Sequence, residues 1–251
     1  MTKQLLKNQK KLPISSKLVQ QSHLFSALPE PLVQDMMEHF RAERWSKKSF
    51  IDYQLLHDRF FLILEGRLEM SRTHPDTGRS VTLDLLGPGD GFDIITLLDG
   101  EKHQVDLTPL EELKVISLPI EKMRNWIWTY PELNQKFMPY LAQKMREQED
   151  KTTDFALYDT VTRLSRIILK NIDKIKAYTG MKKDEHEHHL VSGLSDELLA
   201  RMVGSVRQVV NQHLQHWKKA GIIDKKRNQI KINNLQAIMD DANIMQSNIN
   251  T

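Results

Sequence analysis

The pattern of apolar and polar positions changes character near residue 131. Before it, short alternations sit between turn signals. Phe60, Leu62 and Leu64 alternate with Phe61, Ile63 and Glu65; Gly66 follows, and Leu68 and Met70 then share a face. Val81, Leu83 and Leu85 alternate again, and residues 113–118 form a later apolar run. Such period-two alternation marks strands. His74-Pro75-Asp76-Thr77-Gly78 and Gly87-Pro88-Gly89-Asp90-Gly91 supply turns between them. Six of the ten glycines lie between Gly66 and Gly100, and all nine prolines lie at or before Pro139, so turns concentrate in this part. Several short strands at regular spacing predict an antiparallel barrel or sandwich.

Beyond Pro131 the period lengthens. Met138, Leu141, Met145, Gln148, Thr152 and Phe155 follow one another at spacings of 3, 4, 3, 4 and 3. That is a seam of the kind two helices share, with two polar positions in it. The other faces of this helix are charged, so the stripe predicts a homodimer; packing onto its own domain is the alternative. Pro139 is expected to kink the first turns. A second helix is expected over about residues 159–178, then a charged loop over 180–189. Two more helices follow, then a hairpin near 222–232. The tail from Asn233 is weakly amphipathic and expected to fray.

The two helices before the hairpin carry the chemistry. Ser195 can cap the first, with Asp196 and Glu197 suiting its positive start. Leu198, Leu199, Met202 and Val203 form its apolar face. Gly204 breaks the chain, and Ser205 can cap the second helix. Val206, Val210, His213, Leu214 and Trp217 then lie on one side of that helix. Arg207, Gln208, Asn211, Gln212 and Gln215 lie on the other. Gly221 ends it, and Lys225-Lys226-Arg227-Asn228 makes a basic hairpin tip. Helix, glycine turn, helix and basic wing, in that order, predict a winged helix-turn-helix. Arginine can fork onto guanine, and Asn or Gln can pair with adenine, so Arg207, Gln208, Asn211 and Gln212 are the candidate base readers of double-stranded DNA. Ser195, Ser205, Lys225, Lys226 and Arg227 are the candidates for phosphate.

Composition adds exclusions. The net charge of +3 is too small to argue for nucleic acid, but residues 195–231 hold eight lysines and arginines against three acids. There is no cysteine, which removes disulfides, thiol catalysis, zinc–cysteine sites and cysteine-ligated iron–sulfur clusters. No apolar run approaches the roughly 18 residues of a spanning helix. The basic N-terminus lacks the apolar stretch of a secretory signal, so a cytoplasmic protein without membrane contact is expected. No Gly-x-Ser-x-Gly elbow or phosphate-binding Gly-Lys loop occurs, so an enzyme is not expected. His186, His188 and His189 sit in the charged loop; a solvated loop is the simpler reading than a metal site, and a metal enzyme is the remote alternative.

The run Arg59-Phe60-Phe61-Leu62-Ile63-Leu64-Glu65-Gly66-Arg67-Leu68-Glu69-Met70, the Gly89-Asp90 turn, the helix after Pro131 and Val203-Gly204-Ser205-Val206-Arg207-Gln208 together resemble the Crp/Fnr regulators, the catabolite activator group. The resemblance covers about residues 23–232. It implies an α+β chain: a basic extension over residues 1–22, an antiparallel β-roll sensor (a cyclic-nucleotide-binding-like jelly roll) over 23–130, a long dimerisation helix over 131–158 and a winged helix-turn-helix over 159–251. Function would be promoter binding as a dimer, with RNA polymerase as partner if the protein activates. Arg207 matches the family's guanine-reading arginine. Gln208 stands where an acidic residue often reads cytosine, and Gln212 where a second arginine is common. Base preference should therefore differ from the catabolite activator's, each good bidentate contact being worth roughly 1–3 kcal/mol.

The sensor region departs from the family's cyclic-nucleotide binders. Those carry Gly-Glu after the roll's turn and Arg-Ser or Arg-Thr about ten residues on. Here the segments read Gly91-Phe92-Asp93-Ile94 and Lys102-His103-Gln104-Val105, with no arginine between Arg79 and Arg124. The cyclic phosphate would lack its bidentate partner. Gln148 and Glu149 stand where small hydroxyls meet the purine. Cyclic AMP in the usual mode is therefore not expected, and no cofactor is. Phe92, Asp93, Ile94, His103 and Gln104 are the candidate pocket residues. Haem remains an open alternative, with His57, His74 or His103 as ligand. A ligand-binding module whose helix-turn-helix contacts only protein is the other.

Overall fold

The computed structural model describes residues 16–179 and 189–243, apart from Gln21, Ala27 and Lys48. These divide into two compact units. One comprises residues up to 78 with 83–147, the other residues 79–82 with 148 onward.

The first unit opens with α1 (Ser16–Gln20), α2 (Glu30–Met37), β1 (Arg41–Trp45) and α3 (Leu55–Asp58), and the expected strand follows as β2 (Arg59–Glu65). Next come β3 (Leu68–Thr73), β4 (Ser80–Leu86), β5 (Gly91–Phe92), α4 (Ile94–Asp99), β6 (Asp106–Pro109) and β7 (Leu113–Pro119). Two helices close it, α5 (Ile120–Thr129) and α6 (Pro131–Leu157), the latter continuing into the second unit. The strands form two sheets, of order β1-β7-β2-β5 and β4-β3-β6. The registers of β1 with β7, β2 with β5 and β7, and β3 with β6 are antiparallel, as the strand spacing predicts.

Alternation along β2 separates two cores, because successive side chains of a strand point to opposite faces. Phe60 and Leu62 pack with α1, α2, α5 and the start of α6. Phe61 and Ile63 pack between the two sheets with Trp45, Leu68, Met70, Leu86, Phe92 and Val115. β2 is therefore buried on both faces. Along β4 the expected face is displaced: Thr82, Leu85 and Leu86 are buried, while Val81 and Leu83 are only half-buried. Gly66 has φ 86°, and a Cβ there would lie 2.5 Å from the Glu112 carbonyl oxygen, so this turn requires glycine.

α6 continues through Pro139. Leu133, Phe137 and Tyr140 bury one face in the first core. The predicted seam lies elsewhere on the helix. Met138 and Met145 are 46% and 65% exposed, Leu141 is half-buried, and Gln148 and Thr152 are exposed. Phe155 is 39% exposed; its ring also lies against Gly204, and the Arg163 guanidinium stands 5.5 Å from its centroid. A regular 3–4 spacing places a residue on a helix face but does not say which neighbour fills it.

The second unit adds α7 (Thr160–Thr179), β8 (His189–Ser192), α8 (Asp196–Met202), α9 (Arg207–Lys219), β9 (Ile223–Lys226), β10 (Gln229–Ile232) and α10 (Leu235–Asp241). β8 is a strand that the sequence did not suggest; it pairs with β10 opposite β9. His186 and His188 lie outside the described residues. The expected fraying of the tail is corrected as far as Asn243, the last described residue. Asn234 caps α10 by accepting from the Ala237 amide, and Ile238, Met239 and Ala242 are buried. Asp241 accepts a 2.8 Å hydrogen bond from Trp217 Nε1, and Arg166 donates to the Ala242 carbonyl at 3.0 Å. Three polar anchors and an apolar face outweigh the segment's weak amphipathicity.

Candidate nucleic-acid interface

Ser195 caps α8 as expected, its hydroxyl accepting from the Leu198 amide at 3.1 Å. Leu198, Leu199, Met202 and Val203 are buried. Gly204 takes φ 64°, which reverses the chain, and the Ser205 amide returns to the Ala200 carbonyl. The expected cap by Ser205 is corrected: Val206 holds the N-cap position of α9 without a side-chain bond. Val206 is also 56% exposed and not on the buried side. The extra turn residue shifts the helix start by one, and a valine side chain has no acceptor to offer.

Val210, Leu214 and Trp217 fix α9 against the core of this unit. Arg207, Gln208, Asn211, Gln212 and Gln215 are exposed. Lys218, eleven residues after Arg207, lies about three turns on and shares its face. A groove of about 410 Å³ runs between the start of α8, this face of α9 and the wing. It is lined by Arg207, Gln215 and Lys218 on one side and by Lys226, Arg227 and Asn228 on the other. Lys218 is a lining cation that the search for base readers missed; its spacing from Arg207 was the available signal. The wing is β9 and β10, in register from Ile223↔Ile232 to Lys226↔Gln229. Arg227 and Asn228 form its two-residue tip, with Asn228 at φ 55° and its carbonyl bonded to the Gly193 amide.

The candidate phosphate contacts do not share one environment. Lys226 and Arg227 are exposed. Lys225 Nζ lies 2.6 Å from Asp196 Oδ2, with side chains only 14% and 18% exposed. It faces inward, and so departs from the role of an open cation at the wing tip.

In the first unit the candidate pocket residues are brought together only in part. Phe92 is buried core, stacked on Phe61 at 5.4 Å and edge-on to Trp45 at 6.1 Å. Asp93 caps α4 through the Ile95 amide and accepts from Thr96 Oγ1 at 2.9 Å. Its carboxylate also lies 2.6 Å from His103 Nδ1. Ile94 packs on the first core, and Gln104 is exposed. A cavity of about 180 Å³ touches His57, Thr96, Lys102 and His103, but not Phe92, Asp93 or Gln104. Ligand pockets for small molecules typically span about 300–1,000 Å³. The imidazole of His74 accepts from the backbone amides of Asp76 and Thr77. Among the described residues no cluster of three or more His, Asp or Glu could hold a metal.

A charged cluster under α6 escaped sequence analysis. Lys144 Nζ lies 3.1 Å from Asp84 and 3.3 Å from Asp90, with Glu147 at 3.6 Å. The Tyr140 hydroxyl meets Asp90 and the backbone of Gly91. Burial opposes the Lys144 charge, but Asp90 and Asp84 outweigh it and push its titration above the ordinary lysine range. Burial first, and Asp90 second, push Tyr140 above the ordinary phenol range.

Comparison with known proteins agrees with this arrangement. A cyclic nucleotide-binding domain family matches residues 54–130, and a Crp-like helix-turn-helix domain family matches residues 162–240. A CRP-like cAMP-activated global transcriptional regulator of Mycobacterium tuberculosis is 25% identical over 166 residues, 66% of this chain and 71% of its own length. The cyclic AMP receptor protein of Thermus thermophilus is 24% identical over 203 residues, 80% of this chain and 88% of its own. FixK2 from Bradyrhizobium japonicum shares the fold, with a TM-score of 0.67 at 15% identity over 80% of this chain and 96% of that one. A CooA mutant from Carboxydothermus hydrogenoformans does so at 0.65, with 20% identity over 83% and 90%. No described helix is long and apolar enough to cross a membrane. With a cyclic-nucleotide-binding β-domain, a long helix and a Crp-like helix-turn-helix in that order, the chain belongs to the Crp/Fnr family of transcription regulators.

Proposed function

We propose that the protein acts as a homodimer on a near-palindromic promoter site, reading bases with Arg207, Gln208, Asn211 and Gln212, and that its β-roll does not take cyclic AMP in the usual mode. The observation that carries the DNA reading is the exposed, amide-rich face of α9 beside a groove lined by Arg207, Lys218, Lys226 and Arg227. Guanidinium and amide groups at this spacing fit base edges, and the wing cations fit phosphate. Exposed Met138 and Met145 on α6 support pairing with a second copy. Two copies would then place their recognition helices about 34 Å apart, one helical turn of DNA. RNA polymerase would be a further partner if the protein activates.

Two observations support the sensor reading. Trp45, Phe61 and Phe92 pack ring to ring between the sheets, and Asp93 is committed to capping α4 and to His103. Selection from a random duplex pool, with and without cyclic AMP, tests both parts. A two-fold symmetric site enriched without nucleotide is expected. Absence of any symmetric site would refute the DNA reading. Enrichment only with cyclic AMP would refute the sensor reading alone.

A further inference from the structure

Lys225 stands in the most basic stretch of the wing, yet its surroundings differ from those of its neighbours. Along β9, Ile223 and Lys225 fall on one face and Asp224 and Lys226 on the other. Ile223 is fully buried, and the cross-strand partner of Lys225 is Ile230, 1% exposed. The lysine stem therefore lies over the wing's apolar face, and its ammonium reaches Asp196, the first residue of α8, at 2.6 Å. Lys226 and Arg227, one and two residues on, are exposed, and no ion pair holds either among the described residues.

We propose that Lys225 is a positioning residue: its ion pair with Asp196 staples the wing to the first helix of the helix-turn-helix, while phosphate is met by Lys218, Lys226 and Arg227. This rests on the DNA-binding reading above. α8 and α9 are already joined through Gly204 and shared apolar contacts. The wing is already tied to the segment before α8 by the β8–β10 pairing and by the Gly193 amide on the Asn228 carbonyl. The ion pair adds a side-chain link to α8 itself, and the tip must hold its distance from α9 for the groove between them to admit a strand of DNA. Asp196 and Lys225 both line that groove, with Arg207 and Gln215. A carboxylate there would repel phosphate if it were bare, and pairing with Lys225 removes that repulsion. A phosphate that recruited Lys225 would have to share its ammonium with Asp196, bringing a partly buried carboxylate beside an anion.

The salt dependence of DNA affinity separates the two roles. Each cation that neutralises a phosphate contributes about −0.9 to the slope of log K against log salt. Lys226→Gln is expected to flatten the slope by about 0.9 per protomer. Lys225→Gln together with Asp196→Asn, which leaves neither a bare carboxylate nor a freed cation, is expected to weaken binding by the same factor at every salt concentration, with the slope unchanged. Lys225→Gln alone, which leaves the Asp196 carboxylate bare, is expected to bind more weakly than the double variant. Reversing the pair, with Asp196→Lys and Lys225→Asp together, is expected to restore affinity and slope. The proposal is overturned if the double variant flattens the slope as Lys226→Gln does, or if the reversed pair stays as weak as the double variant. A salt-independent or undetectable DNA affinity of the unaltered protein would instead refute the DNA-binding reading itself.

Discussion

Replacing Gly204 by alanine tests the turn on which the recognition helix depends. Two costs arise at this position. Gly204 has φ 64°, and an L-residue in the left-handed region loses roughly 1–2 kcal/mol. The added Cβ would also lie 2.7 Å from Phe155 Cε1, closer than van der Waals contact allows. The ring cannot retreat freely, because Arg163 stands over it, held by a 2.9 Å bond to the Tyr158 carbonyl. Phe155 is nevertheless 39% exposed, so it can swing partly outward. Overpacking should then fall near the lower end of its usual range, about 1 kcal/mol. The expected total is about 2–3 kcal/mol.

Denaturant unfolding followed by circular dichroism, at fixed protomer concentration, measures this cost. Hydrogen exchange of the α8 and α9 amides locates it. In a Phe155→Ala background the same substitution should cost only the backbone part, roughly 1–2 kcal/mol. A cost unchanged by removing the ring would show that Phe155 does not pack on Gly204 in solution and would return it to the dimer seam. A cost well under 1 kcal/mol in both backgrounds would refute the left-handed turn.

Arg207→Ala should lose roughly 1–3 kcal/mol per half-site and relax base preference at one position of the selected sequence; an even loss across all sequences would make it a phosphate contact. Met145→Glu, which puts a charge at a 65% exposed apolar position, should shift sedimentation from dimer to monomer without lowering monomer stability, whereas an unchanged dimer would place the interface elsewhere. Lys144→Met removes the cation shared by Asp84, Asp90 and Glu147 and should cost about 3–5 kcal/mol in denaturant unfolding. Lys144 and Tyr140 both titrate above their ordinary ranges when folded, so their contribution is complete below about pH 10 and is lost as pH rises further. Stability should therefore fall steeply above that point in the unaltered protein and less so in Lys144→Met; parallel curves would exclude the cluster as the cause.

What the sequence disclosed depended on how local each signal was. The cap at Ser195, the positions of Val210, Leu214 and Trp217 on the buried side of α9 and the hairpin near 222–232 are set by residues close in the chain, and they were legible, although the tip is two residues and not the four from Lys225 to Asn228. The alternation at residues 60–65 placed β2, because strand period alone decides which side chains face together. β8 was missed because its hydrogen-bonding partner, β10, lies about forty residues away. α10 was missed because its anchors, Trp217 and Arg166, come from other helices. Phe155 fitted the seam by spacing, which could not show that its ring also meets Gly204.

Charge shows the same limit most sharply, because a count of basic residues does not say which of them are available. Among residues 195–231, Asp196 is bound to Lys225 and Glu197 to Arg201, while Asp224 stands opposite Lys231 across the hairpin. Two of the three acids thus hold a cation in an ion pair, while Asp224 and Lys231 share only a cross-strand register. The excess that remains is carried by Arg207, Lys218, Lys219, Lys226 and Arg227. Four of these five line the groove between α9 and the wing. The acids therefore do not dilute a basic patch evenly. They pair with some cations, Lys225 in the groove wall among them, and leave others open where a nucleic-acid backbone would run. The salt slope of DNA binding should accordingly report those remaining groups, and not the eight lysines and arginines that the sequence contains.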